Sequence, residues 1–212
     1  MAVKLFTYNN FIELCANTYI FSDGHNQCVI IDPSKEDVKI DEYIASQNLK
    51  VVGILLTHGH FDHIRAVDYF VNKYNVPFFM NQKDEELLTN PKLNCSDKFA
   101  RKNIVVNSKP TFVKEGDKIE ILDTPINVIE TPFHTMGSTC YYLAKEKILF
   151  SGDSLFYGSV GRVDLPTSDS ALFGKSLAKL MNLEETTIVY PGHGEKTTIK
   201  NERIQNSFVK IW

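Results

Sequence analysis

The chain has 212 residues, 43% of them hydrophobic and 23% charged, with 23 Lys plus Arg against 26 Asp plus Glu and a net charge of -3. A single domain of this length buries roughly 70% of its extended surface, so its core needs no disulfide staple. The ordinary composition excludes collagen-like, disulfide-dense and disordered classes, and the charge balance lacks the basic surplus of a general nucleic-acid binder.

Taken in chain order, Val3 to Phe6, Thr18 to Phe21 and Cys28 to Ile31 read as strands. The last two are joined by the turn-forming run Ser22 to Asn26. Asp37 to Ser46 reads as a short helix with Ile40, Tyr43 and Ile44 on one face. Val51 to Thr57 is a nearly continuous apolar run, which suits a strand covered on both sides. A polar loop follows. One helix is then expected from Asp62 to Tyr74, with Ile64, Val67, Phe70, Val71 and Tyr74 as its buried stripe. Pro77 to Met80 is the next strand and Lys83 to Leu88 reads as helical. The polar stretch Asn90 to Pro110 is either a surface loop with a short helix or a lid.

From Thr111 the pattern changes to strands joined by turns: Thr111 to Val113, Lys118 to Leu122, Asn127 to Glu130, Cys140 to Ala144 and Lys147 to Phe150. A helix is expected from Ser168 to Leu180, capped by Asp169 or Ser168, then a strand Thr187 to Tyr190 and a last helix near Thr198 to Asn206. Two mixed sheets packed together, with helices on their outer faces, satisfy these patterns. The N-terminal MAVKLFTYNN is too short and polar for a signal peptide, and no apolar run spans a bilayer. Cys15, Cys28, Cys95 and Cys140 are widely spaced with no CxxC pair, and read as buried free thiols. A cytoplasmic protein acting on a small molecule, with neither a membrane nor a nucleic acid as partner, is the resulting expectation.

Five of the six histidines lie in Gly- or Pro-punctuated loops that follow strands. The first loop, Thr57 to His63, reads THGHFDH and places three imidazoles and a carboxylate within six residues. His58 and His60 reach one side of the loop, whereas Asp62 and His63 are adjacent and point apart, so one loop offers ligands to two cations. Nitrogen and carboxylate oxygen together suit Zn²⁺, Fe²⁺ or Mn²⁺. His134 lies in TPFHTMGS, Asp153 in SGDS and His193 in PGHG. Each alone reads as an ordinary turn residue; beside the first loop they complete a set of five His and two Asp. Asp153, with two carboxylate oxygens, suits a bridge between two cations.

With these motifs in order, THGHFDH, TPFHTMGS, GDSLFYGSVGRVD and PGHGEKTTIKNE, the sequence resembles the metallo-β-lactamase superfamily in its hydroxyacylglutathione hydrolase (glyoxalase II-like) branch. The resemblance spans roughly Asn17 to Asn206. It implies an α+β fold, a four-layer αββα sandwich of two mixed sheets flanked by helices. It implies that His58, His60 and His134 hold one metal, that Asp62, His63 and His193 hold the other, and that Asp153 sits between them. Asp32 resembles the family's acidic residue beneath the site, which orients a ligand histidine through its second ring nitrogen; it also reads as an ordinary Asp-Pro turn. Zinc β-lactamases of the commonest kind carry a cysteine where this chain has Asp153, which argues against antibiotic hydrolysis. Only 19 residues follow His193, so the short form without the C-terminal helical domain is expected.

The implied activity is binuclear, glyoxalase II-like hydrolysis of a small thioester such as S-lactoylglutathione, by a metal-bound hydroxide. Two divalent cations, zinc foremost with iron or manganese as alternatives, are the implied cofactors. Asp62 can take the proton of the attacking group. Thiols ionise near pH 8.5, so a thioester needs no strong general acid for its leaving group. Arg162 and Lys196 are candidates to meet an anionic substrate, although Arg162 can instead pair with Asp164. The rival readings are a mononuclear iron persulfide dioxygenase-like oxygenase and a lactonase or esterase of the same fold. A non-enzymatic metal binder is disfavoured, because none of the seven ligand positions is missing.

Overall fold

Parallel neighbours in a sheet need a crossover, and the chain supplies one wherever strand order demands it. In the computed structural model, which describes residues 4–9 and 14–210, the first sheet runs β1 (Lys4–Tyr8), β2 (Thr18–Ser22), β3 (Gln27–Ile31), β4 (Lys50–Leu55), β5 (Phe78–Asn81) and β6 (Thr111–Val113). β1, β2 and β3 are antiparallel; β3 to β6 are parallel. Helix α1 (Val38–Ser46) crosses from β3 to β4, and α2 (Phe61–Ile64) with α3 (Val67–Tyr74) crosses from β4 to β5. The connection to β6 carries a 3-10 turn, Gln82–Leu88, and α4 (Ser96–Phe99).

The second sheet is ordered β12 (Thr197–Thr198), β11 (Ile188–Pro191), β10 (Ile148–Gly152), β9 (Thr139–Leu143), β8 (Ile126–Glu130) and β7 (Lys118–Ile119). Its one parallel pair, β10 with β11, is bridged by α5 (Phe173–Met181), and α6 (Ile199–Gln205) follows β12.

Alternate residues of a strand face opposite sides, and the core divides accordingly. Tyr19, Phe21, Val29, Ile31 and Leu55 meet Val128, Tyr141, Leu143 and Phe150 between the sheets. Their neighbours Ile20, Cys28, Ile30 and Ile54 pack outward on Ile40 and Ile44 of α1 and Val67 and Phe70 of α3. Behind the second sheet, Cys140, Leu149 and Val189 meet Leu177 and Leu180 of α5 and Ile199 of α6. Three apolar layers thus separate four structural layers, the αββα sandwich of two mixed sheets expected above. A fully buried Phe or Leu side chain contributes ~1.5–3 kcal/mol. Tyr141 adds a polar tie, its hydroxyl donating to the Leu56 carbonyl at 2.8 Å.

Several boundaries differ from the sequence reading. Val3 of the first expected strand lies outside the described residues. The single helix expected from Asp62 to Tyr74 breaks after Ile64, where the Ala66 N–H leaves the helix to donate to the Pro33 carbonyl at 2.9 Å. The strand expected to reach Leu122 ends at Ile119, ahead of a turn whose Pro125 has no N–H for the ladder. The expected helix over Ser168 to Leu180 opens as a 3-10 turn, Ser170–Leu172, and Asp169 is its cap, accepting from Ala171 N at 2.9 Å. β12 has two residues, too few to show alternation. Asn90 to Pro110 takes the first of its two forms, a loop with the short helix α4. It is pinned by Asn94, whose amide donates to the Leu87 and Ile104 carbonyls at 2.8 and 3.0 Å. All four cysteines are buried and free. Among the described residues no helix is long and apolar enough to cross a membrane.

Candidate metal centre

Five strands, β3, β4, β8, β10 and β11, each deliver a polar loop, and the loops converge. β3 is followed directly by Asp32, whose φ of 49° lies in the left-handed region, unfavourable by ~1–2 kcal/mol for a residue with a Cβ. Its contacts hold it there. The buried carboxylate accepts from Thr57 N at 2.8 Å and Thr57 Oγ1 at 2.7 Å, and Oδ2 lies 2.9 Å from His63 Nδ1. The β4 loop is thereby tied to β3, and the His63 ring is turned so that Nε2 faces inward.

Three groups of ligand atoms result, each set within 4.8 Å of one another: His58, His60 and His134; His58, His63 and Asp153; Asp62, His63 and His193. His58 Nε2 lies 3.0 Å from His60 Nδ1, which lies 2.9 Å from His134 Nε2. Three imidazole nitrogens converging this closely resemble the edges of a coordination tetrahedron, ~3.3 Å for zinc–nitrogen bonds. His134 Nδ1 is anchored 2.8 Å from the Arg162 carbonyl oxygen. On the other side His193 Nε2 lies 3.1 Å from Asp62 Oδ2 and 3.7 Å from Asp153 Oδ2. His63 Nε2 and Asp153 Oδ1 face each other at 3.3 Å, yet both are buried without a hydrogen-bond partner. Buried polar atoms are usually satisfied, and these two, which belong to one group of converging ligand atoms, mark a place that fits a cation.

Glycines make the convergence possible. A Cβ on Gly192 would lie 2.2 Å from Asp153 Oδ1 and 2.7 Å from His63 Cε1, and one on Gly152 would lie 2.3 Å from Thr57 Oγ1. The His193 loop is held from the first sheet by Asn17, whose N–H donates to Gly192 O at 2.7 Å, and by the Tyr19 hydroxyl on Pro191 O at 2.6 Å.

The electrostatics split the histidines into two kinds. Burial, reinforced by neighbouring imidazoles, holds His58 well below its ordinary value and His60 at about 3, so both keep the neutral lone pair that a metal ligand needs. Burial also opposes charge on His63 and His193, but the carboxylates win: Asp32, Asp153 and Asp62 lift His63, and Asp153 and Asp62 lift His193. Asp153 moves the other way. Its burial is outweighed by His193, His63 and His134, and its carboxyl stays well below the usual range. The pocket of Asp62, Asp153, His63 and His193 therefore stabilises positive charge.

Asp84 ties two of the loops together and was not singled out in the sequence, where it is one acid in the segment Lys83 to Leu88 that reads as helical. Fully buried, it accepts from Gly59 N at 2.9 Å, Thr135 Oγ1 at 2.7 Å and Gly137 N at 2.7 Å. It thus joins the loop of His58 and His60 to that of His134. Arg162 closes on Asp164 through a bidentate pair at 2.6 and 2.7 Å. Lys196 is exposed and does not line the cavity above the cluster. That cavity, about 570 Å³, is walled by Leu14, Phe61, Phe99, Phe156, Val160 and Leu165 beside the His and Asp side chains, with Arg162 at its rim.

The chain matches the metallo-beta-lactamase superfamily over residues 14–193. It is 38% identical over 197 residues to a probable metallo-hydrolase of Bacillus subtilis, covering 92% of each chain. It is 28% identical over 211 residues to the hydroxyacylglutathione hydrolase GloC of Haemophilus influenzae, covering 99% of this chain and 98% of that one. Among solved structures it is similar to the BLEG-1 B3 metallo-beta-lactamase (TM-score 0.89, 33% identity, 98% and 99% of the two chains). It is also similar to a protein solved in a di-iron-bound form (TM-score 0.82, 32% identity, 97% and 99%).

Proposed function

The chain belongs to the metallo-beta-lactamase superfamily, and on that premise we propose a binuclear metal-dependent hydrolase of small thioesters, acting in the manner of glyoxalase II. In this reading His58, His60 and His134 hold one divalent cation and Asp62, His63 and His193 the other, with Asp153 between them. The observation that carries it is the facing pair of orphans, His63 Nε2 and Asp153 Oδ1, inside overlapping ligand groups. Zinc leads as the native metal, with iron, as in the di-iron relative, and manganese as alternatives.

When bound, the cations lower the pKa of water toward neutrality and polarise a carbonyl oxygen. The chain's own residues do the rest. Asp62, kept ionised by His63 and His193 against its burial, accepts the proton released in the attack. Asp32 fixes the tautomer of His63 by occupying Nδ1. The apolar walls exclude bulk water and receive the acyl chain. A thiolate leaves without a strong general acid, and the resemblance to the hydroxyacylglutathione hydrolase supports the same bond type. The four buried free thiols suit a cytoplasmic setting.

The test is metal analysis of protein purified without added metal, then turnover of a thioester, an oxoester, a lactone and a cephalosporin. Two metals per chain and anaerobic cleavage, fastest on the thioester, are expected. One iron per chain with oxygen consumption on glutathione persulfide would replace this reading with the oxygenase. A dominant rate on the cephalosporin would make the likeness to the B3 enzyme functional.

A further inference from the structure

A second cavity, about 430 Å³, opens beside the metal cavity, and Leu14 and Phe99 line both. Both side chains are exposed, at 63% and 45%, an unusual placement for large apolar groups on the wall between two cavities. The second cavity is otherwise lined by Arg65, Ala100, Arg101, Lys102 and Ile104. Its described lining thus holds three cations and no acid, on a chain whose net charge is -3.

The cations are set on fixed footings. Arg65 donates to the Leu14 carbonyl at 3.2 Å and stacks over Phe61, itself a wall of the metal cavity, at 5.5 Å. Arg101 and Lys102 lie on a short arc whose ends are held: Ala100 N donates to Ser96 O at 3.0 Å, and Ile104 N donates to Ser96 Oγ at 3.0 Å. Both are exposed, and neither makes a hydrogen bond or ion pair within the described residues. Arg101 and Lys102 differ in this from Arg162 at the metal cavity's rim, which is neutralised by Asp164. From the imidazole–carboxylate cluster outward the order is therefore reactive centre, apolar collar, positive annex.

We propose that this annex is the carrier subsite, taking the anionic end, carboxylate or phosphate, of the thiol whose acyl ester is cleaved. The inference rests on the thioester reading above and adds what the carrier must be. The thioester carbon sits at the cluster, the carrier's uncharged middle crosses Leu14 and Phe99, and its anion meets Arg65, Arg101 and Lys102. The exposed Arg101 and Lys102 attract such a group without the desolvation that burial imposes, while Arg65 is half-buried at the inner end of the annex.

The test compares the metal-loaded protein with the double variant Arg101→Glu, Lys102→Glu on three thioesters: S-lactoylglutathione, an acyl coenzyme A and neutral S-acetyl-N-acetylcysteamine. Both positions are exposed, so folding and metal content stay unchanged, and Arg101→Gln with Lys102→Gln gives a graded control. For an anionic carrier KM should rise about tenfold with kcat kept within about twofold, an effect that weakens as salt screens it. The neutral thioester should be unaffected. The larger loss on the glutathione ester assigns a carboxylate end, and on the coenzyme A ester a phosphate end. Unchanged KM for both anionic carriers, or an equal loss on the neutral one, overturns the subsite. If the unaltered protein cleaves none of the three, the thioesterase reading fails separately. Calorimetric binding of free S-methylglutathione and coenzyme A then decides the annex: affinity lost in the double variant supports it, and no affinity in either protein overturns it.

Discussion

Replacing Asp84 with Ala isolates the clamp between the two histidine loops. The carboxylate receives three hydrogen bonds at 2.7–2.9 Å from Gly59 N, Gly137 N and Thr135 Oγ1, in a place with no solvent exposure. The Thr135 hydroxyl has a second partner, Ser138 Oγ at 2.9 Å, so its loss is small. The two backbone donors have none, and each orphaned buried donor costs ~1–3 kcal/mol. Against this stands the relief of a buried carboxyl group, whose burial pushes its pKa up despite the three donors. The net expectation is a destabilisation of ~2–4 kcal/mol, a large share of the ~5–15 kcal/mol of an ordinary domain. Denaturant unfolding of the metal-free protein measures it as a lower midpoint at unchanged slope. Metal affinity should fall about 10- to 100-fold in parallel, as for other residues that position ligands. Gly137→Ala attacks the same clamp from the opposite side, since its Cβ would lie 2.5 Å from Asp84 Cγ. A change below ~1 kcal/mol with full metal binding in both variants would refute the clamp.

Asp153→Ala should lose metal content and activity together; full occupancy with normal turnover in that variant excludes the bridging role. Asp32→Ala frees His63 Nδ1 and leaves Thr57 N unpaired, so metal affinity should drop at least about tenfold, with titration of metal into stripped protein as the readout. Asp41, which receives the Tyr69 and Tyr74 hydroxyls at 2.7 and 2.8 Å and pairs with Lys73, is held below 3.8 although its burial acts in the opposite direction. Its stabilisation is therefore complete above pH 3.8 and disappears as pH falls through the lower folded value. Asp41→Asn should cost ~1 kcal/mol at neutral pH and nothing in strong acid, and a pH-independent difference in unfolding midpoint contradicts the assignment. Burial pushes the Cys28 thiol up to about 12 and the Cys140 thiol to about 11. A disulfide-exchange reagent at about pH 8, below both values, should therefore modify neither until the protein unfolds; rapid labelling of the folded chain would contradict their burial.

How much of this was legible beforehand depended on range. The nearly continuous apolar run Val51 to Thr57 announces a strand covered on both faces, because successive side chains of a strand point to opposite sides and the pattern is a local property. THGHFDH is equally local: its cluster of imidazoles and a carboxylate within one turn survives any folding of the rest. His134, Asp153 and His193 were legible as loop residues after strands, since turn chemistry is read from neighbours a few positions away. Contacts that cross the sequence left no such trace. Asp84 reaches Gly59 across 25 residues and Gly137 across 53, and Asn17 reaches Gly194 across 177. The break after Ile64 comes from a bond to Pro33 on another segment, which overrides a helical stripe that runs on unbroken. The same holds for Arg162, whose guanidinium turns to Asp164, and for Arg65 and Arg101, which share a cavity although 36 positions apart. Periodicity and ligand type act over single turns and are written residue by residue. Which loops meet, and which charges are left facing a cavity, is set by how the two sheets pack.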